Sequence, residues 1–285
     1  VAALGALVVV ALVAALGLAS GAAATGPLPP GTGPQGRVPQ FKVECGYSHS
    51  ALDDPIVWPG RPGASHRHDF FGSTAVDADS DGADLLGTDT TCQQRLDTAS
   101  YWAPSLFVDG APVEPLGGSA YYRPAPGVDP TTLEPYPTGL ALIAGDMHAT
   151  EAQDTGVVAW HCGASPDLRT EPPTCPASAP LGLRTTFPDC WDGERLSSPD
   201  HHAHAAYSER GRCPSSHPVA LPQLVFDIHY PVHGEVGELH LASGDPVTAH
   251  ADFLNGWDPD KLAREVDLCL RGGRVCGVVS SRATG

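Results

Sequence analysis

The sequence predicts a mainly β chain: a β-sandwich-like single domain with long loops and one or two short helices. Three observations lead there. Short runs rich in β-branched and aromatic residues recur along the chain, among them YWAPSLFV, VVAWHC and LVFDIHY. Turn formers separate these runs, with 32 glycines and 29 prolines in 285 residues, which leaves little room for long helices. Periodicity of the helical kind is scarce.

Taken in order, residues 1–24 read as a signal peptide. Val1 to Leu18 is almost wholly apolar and uncharged, and Ala22 to Ala24 forms an A-x-A exit. The alternative is an uncleaved membrane anchor, because about 18 apolar residues approach spanning length. Any membrane contact would then run through this segment. Residues 25–40 (TGPLPPGTGPQGRVPQ) form a Pro/Gly linker with no hydrophobic face. The folded domain is expected over 41–285, beginning near Phe41.

The strand candidates are Tyr101–Val108, Ala120–Arg123, Leu140–Ala144, Val157–Cys162, Leu181–Phe187 and Leu224–Tyr230. Asp109-Gly110 reads as a hairpin turn. Leu140–Ala144 is continuously apolar, the pattern of a central strand covered on both faces. One helix is expected over Pro259–Leu270, where Leu262, Val266 and Leu270 recur every four residues. Asp258 or Asp260 could cap it and Gly272 could end it.

Composition bounds the function. The formal net charge is -17, with only two lysines, Lys42 and Lys261. Such a surface repels nucleic acid and anionic lipid, so no nucleic-acid partner is expected. The eight cysteines behind an export-like segment argue for disulfides and an extracellular, secreted location. Cys162 with Cys175 and Cys269 with Cys276 are the expected short closures. No C-x-x-C pair, nucleophile elbow, P-loop, dinucleotide fingerprint or HExxH is present.

The chemistry-bearing residues come in pairs two apart. Residues i and i+2 of a strand point the same way. HRH places His66 and His68 on one face, DIH places Asp227 with His229, and HAD places His250 with Asp252. Asp54 precedes the first pair, and Asp146 with His148 follows the apolar run. PDHHAH adds Asp200, His201, His202 and His204. His201 and His204 share a face in a helical turn, and His202 and His204 share one in an extended segment; the spacing leaves both open. Imidazoles and carboxylates in this density can bind a divalent metal or move protons. The expected metal ligands are His66, His68, His201, His204 and His250. The expected catalytic set is His66, His68, His202, His204 and Asp252. Trp257, beside the Asn255-Gly256 turn, could stack on a sugar ring, while Asp54, Asp146 and Asp200 could bind hydroxyls. His66, His68, His202 or His201, His204, His250 and Asp252 are expected to converge in one cleft.

The blocks HRHDFFG, YWAPSLF, AYYR, GLALIAGD, WHC, FPDCWDG, SPDHHAH, His217 to Pro222 and HADFLNGW occur in this order. Together they resemble the secreted DUF1996 family, a domain of unknown function, from about Tyr47 to Cys269. The resemblance implies one extracellular domain and no defined activity. Within its blocks, Tyr122 and Arg123 of AYYR are further candidates for substrate binding.

Three function classes remain. The first is a secreted polysaccharide-active enzyme, a glycan hydrolase or lyase, with carboxylates as acid and base and histidine or metal assisting. The second is a non-catalytic cell-wall or glycan-binding domain using Trp58, Trp102, Trp191 or Trp257 as platforms. The third is an extracellular metal-binding or structural protein. An aromatic content of 7% is low for a dedicated sugar-binding module and favours the first.

Overall fold

The computed structural model describes residues 37–281 and Val1. The signal-peptide expectation and most of the linker therefore lie outside the described residues. Among the described residues seventeen strands follow one another: β1 Gln40–Cys45, β2 Tyr47–Ala51, β3 His68–Gly72, β4 Ser100–Pro104, β5 Leu106–Val108, β6 Ala111–Val113, β7 Gly117–Arg123, β8 Ala141–Gly145 and β9 Val158–Cys162. They continue with β10 Leu181–Thr186, β11 Cys190–Trp191, β12 Ala205–Ala206, β13 Val219–Ala220, β14 Gln223–Tyr230, β15 Leu239–Leu241, β16 His250–Leu254 and β17 Val275–Val278. The chain is mainly β, as its punctuation predicts.

Two sheets carry the architecture. One has six strands in the order β17-β1-β7-β14-β10-β9; the other has five in the order β2-β3-β4-β16-β8. All their pairings are antiparallel except β1 with β17. The alternation of side chains makes each sheet two-faced. Phe41, Val43, Tyr122, Phe226, Ile228, Leu183 and Trp160 of the first sheet join Phe71, Tyr101, Leu142, Ala144 and Phe253 of the second in one buried cluster. A fully buried side chain of this size contributes about 1.5–3 kcal/mol. The layer is tightly filled: a Cβ added at Gly118 would meet the Phe226 ring at 2.4 Å. A second cluster covers part of the outer face of the five-stranded sheet, where Phe70, Trp102, Ile143 and Leu254 pack with Ile56, Val76 and Leu85 from the loops.

The details follow local chemistry. YWAPSLFV is divided between β4 and β5, with Ser105 at the break donating to Asp69 Oδ1 at 2.7 Å. Asp109 (φ 51°) and Gly110 (φ 76°) are both left-handed, as a tight β5–β6 turn needs. The helix α1 spans Pro259–Glu265, and its N-cap Asp258 accepts from the Lys261 N–H. It continues as a π-helical segment, Val266–Arg271, ending at Gly272. One expectation is corrected here. LALIA forms β8, which is buried yet stands at the edge of its sheet, so its apolarity reflects cover on both faces and not a central position.

Four disulfides tie the loops: Cys45–Cys92, Cys162–Cys175, Cys190–Cys213 and Cys269–Cys276. Both expected short closures are among them. No helix among the described residues is long and apolar enough to cross a membrane.

Candidate functional site

Strand alternation decides what faces what on the five-stranded sheet. In β3, Phe71 enters the core between the sheets, so His68 and Phe70 point outward. In β16, Ala251 and Phe253 point inward, which turns His250 and Asp252 outward on the same side as His68. Strand β4 lies between β3 and β16, with Trp102 opposite both Phe70 and Asp252. His66 reaches the same place from the segment entering β3. Its ring centroid lies 4.3 Å from that of His68 and 5.1 Å from that of His250.

One ring nitrogen of each of His66, His68 and His250 comes within 4.8 Å of the others. Donor atoms of Asp54, His68 and Asp252 meet within the same limit, so His68 is common to both groups. His250 Nε2 stands 4.0 Å from Asp252 Oδ2. A third grouping, Cys45, Cys92 and Asp97, offers no thiolate, because its cysteines are bonded to each other.

The orientation of the rings is fixed from behind. His68 Nδ1 lies 3.0 Å from the Asp53 carbonyl, and His250 Nδ1 lies 2.9 Å from the Thr248 carbonyl. A carbonyl only accepts, so in each case Nδ1 carries the proton and Nε2 presents its lone pair. Those Nε2 atoms, with His66 Nε2, are buried without a hydrogen-bond partner. So are Asp54 Oδ2 and both carboxylate oxygens of Asp252. Orphaned buried polar atoms are rare because each costs about 1–3 kcal/mol. Here they cluster.

Burial sets the charge state. It pushes the His66 imidazole down to about 4, with help from His148. It likewise holds His250 at about 4, although the Thr248 carbonyl opposes the shift. His68 is driven well below the ordinary histidine value by burial, then by His66 and His250. Burial raises the Asp252 carboxyl well above its usual range, and Asp54 adds to this. Asp54 is raised by burial too, against hydrogen bonds from the Val57 and Ile56 N–H groups and the charge of His201. Three neutral imidazoles and two carboxyls lacking a counter-charge form a donor set suited to a cation.

The cluster opens into a cavity of about 240 Å³, lined in part by Asp54, Asp146, His148, His201, His250 and Asp252. A neighbouring cavity of about 320 Å³ shares Ile143, Gly145, His201 and His202 with it and extends past Gln153 to Tyr207. The PDHHAH segment forms the shared rim. Asp200 is exposed and accepts from Ser198 Oγ and from the His202 and Ala203 N–H groups, which holds its carboxyl far below the usual range. The turn puts His201 in the left-handed region at φ 61°. The segment is a turn, neither helical nor extended, and it brings His201, His202 and His204 to the lining of the 320 Å³ cavity.

Several candidates stand elsewhere. His204 is buried with both ring nitrogens engaged: Nε2 donates to the Ala141 carbonyl at 2.6 Å, and Nδ1 lies 3.0 Å from Ser198 Oγ. Both ring nitrogens face partners within the chain and His204 is not among the clustered donors, so it is corrected from ligand and catalyst to a structural residue at the edge of the neighbouring cavity. His201 lines the cavity but is not one of the clustered metal donors. Tyr122 and Trp257 are fully buried, with Trp257 Nε1 donating to Tyr122 Oη at 3.0 Å and Tyr122 bonded to Tyr101. Neither can touch a substrate, and the reason is ordinary: both fill the core between the sheets. Arg123, Asp227 and His229 line a cavity on the outer face of the other sheet, apart from the His66–His68–His250 cluster. No sequence signal marks the two carbonyls that orient His68 and His250, since backbone atoms leave no motif. Gln153, Asp154 and Tyr207 beside the rim carry none either.

No curated protein and no solved structure matches the chain. The family model described as "Domain of unknown function (DUF1996)" matches residues 54–257. That span contains His66, His68, His250 and Asp252 and covers well over half of the chain, which therefore belongs to the DUF1996 family.

Proposed function

We propose that the chain is a secreted protein whose His66–His68–His250 cluster holds a divalent transition metal, and that this centre acts on an extracellular polysaccharide. The observation that carries the reading is the convergence of three buried imidazole nitrogens with no hydrogen-bond partner. Imidazole suits zinc, copper, nickel and iron, and three protein ligands with an open position are the usual catalytic arrangement for zinc. Asp252, beside His250, completes or balances the set. A metal in this position would supply Lewis acidity and an acidified water.

The chain's own residues supply the rest. His68 and His250 are held by backbone carbonyls, so little reorganisation accompanies binding. Asp54 and Asp252 lower the electrostatic cost of a cation in a buried place. His201, His202, Asp146 and Asp200 edge the paired cavities, where they can meet the hydroxyls of an extended sugar chain. The non-catalytic alternative gains less support. Trp102, Trp160 and Trp257 are fully buried, leaving only Trp58 and Trp191 partly exposed as platforms. Secretion is supported by four disulfides and by the apolar, uncharged start of the sequence.

The test is release of reducing ends or unsaturated products from wall polysaccharides, with and without a chelator. Activity lost on chelation and restored by one metal is expected. A metal-loaded protein with no activity on any wall polysaccharide would overturn the enzymatic part and leave a metal-binding protein.

A further inference from the structure

The outer face of the six-stranded sheet carries a second polar cluster. In β7, Tyr122 points into the core, so Tyr121 and Arg123 point outward. In β14, Phe226 and Ile228 point inward, which turns Val225, Asp227 and His229 outward. In β10, Arg184 stands opposite Asp227. These residues, with Gln40, line an open cavity of about 450 Å³. The hydrophobic layer between the sheets separates it from the histidine cluster.

We propose that this cavity is an oxyanion-binding site, with Arg123 and Arg184 receiving the carboxylate of an acidic saccharide such as a uronic acid. The charge inventory carries the argument. Asp227 is the carboxylate in the cavity, and both of its oxygens are used. Oδ1 accepts from His161 Nε2 at 2.7 Å; Oδ2 accepts from Arg184 Nε at 3.1 Å and Nη2 at 2.7 Å. Nearby Glu44 is held by Lys42 Nζ at 2.6 Å and by Ser119 Oγ. Arg123 is half-buried and has no hydrogen-bond or ion-pair partner among the described residues. It stands instead beside the like charge of Arg184, which with burial lowers its pKa.

A half-buried guanidinium facing another, in a chain of net charge -17, is costly without a counter-ion. An arriving carboxylate removes that cost and can accept paired N–H bonds from a planar fork. His229 Nδ1 is buried without a partner and adds one more polar contact. The Tyr121 ring, which lies 5.4 Å from Lys42 Nζ, gives the cavity a flat wall that suits a sugar ring. The ligand class is thus a saccharide bearing a carboxylate. Free sulfate, although a tetrahedral dianion, can offer a guanidinium fork a similar pair of acceptor oxygens.

Calorimetric titration of the full chain with trigalacturonate, its methyl ester and sodium sulfate tests the proposal, with Arg123→Gln as the variant. The Arg123 guanidinium makes no hydrogen bond or ion pair among the described residues, so the variant should keep its melting temperature. Trigalacturonate is expected to bind, with binding at least about tenfold weaker for both the neutral ester and Arg123→Gln. Binding of sulfate but not of trigalacturonate, still lost in Arg123→Gln, supports the oxyanion site and assigns it to free anions. Absence of binding by any of the three, or equal affinity in Arg123→Gln, overturns it. Metal content should be unchanged in Arg123→Gln, so this result stands apart from the fate of the histidine centre.

Discussion

Two histidines that look alike in the sequence have opposite roles. His68 has one nitrogen tied to the Asp53 carbonyl and one that is buried and free. His204 has both tied, to Ala141 and Ser198. Substitution separates them. His204→Ala should lower stability by about 1–3 kcal/mol, because a buried carbonyl and hydroxyl lose a partner, and should leave metal uptake intact. His68→Ala should abolish metal uptake; in the metal-free protein the lost Asp53 carbonyl bond is offset by removal of a buried, unpartnered Nε2, so the melting temperature stays near that of the parent. Thermal unfolding in chelator alongside elemental analysis reads both. The reverse pattern would contradict the assignment. The sequence put His66 with His68 and His250 with Asp252 by simple alternation; β16 delivers the second pair, while His66 reaches His68 from the segment entering β3. It could not separate His204 from the others, because that depends on a carbonyl 63 positions away in sequence.

At the scale of elements, the same alternation rule placed Asp227 and His229 together but could not say on which sheet. That follows from strand order, since β14 pairs with β7 and β10 while β16 pairs with β4 and β8. Asp227 links β14 to β10 through Arg184 and to β9 through His161. Burial alone would raise its carboxyl, but His161 and Arg184 overcome this and hold it below the ordinary carboxylate value. A carboxylate with a depressed folded pKa stabilises the fold fully above its unfolded value. That contribution is lost as pH falls from about 4 through the folded pKa. Urea unfolding should therefore find Asp227→Asn less stable than the parent at pH 7 by about 1–3 kcal/mol, with the gap narrowing as pH drops below about 4. A gap independent of pH would show that the ion pairs contribute nothing. The helix over Pro259–Glu265 was legible from its spacing and its Asp258 cap, whereas the edge position of β8 was not, because continuous apolarity reports cover and not sheet order.

For the whole molecule, alternation has one consequence on each side of the core. The five-stranded sheet turns histidines outward, and the six-stranded sheet turns arginines outward. Glycine and proline punctuation made the β class legible, and cysteine spacing made two of the four disulfides legible. The pairing of Cys45 with Cys92 across 47 residues was not, since it depends on which loop the fold brings to the end of β1. The central claim is that the outward histidines exist to hold a metal. The most direct measurement is elemental analysis of the natively purified protein beside His68→Ala and His250→Ala. The account predicts close to one equivalent of a transition metal in the parent and far less in both variants. A folded parent with no bound metal, that also takes up none on dialysis against zinc, copper, nickel or iron, would contradict it.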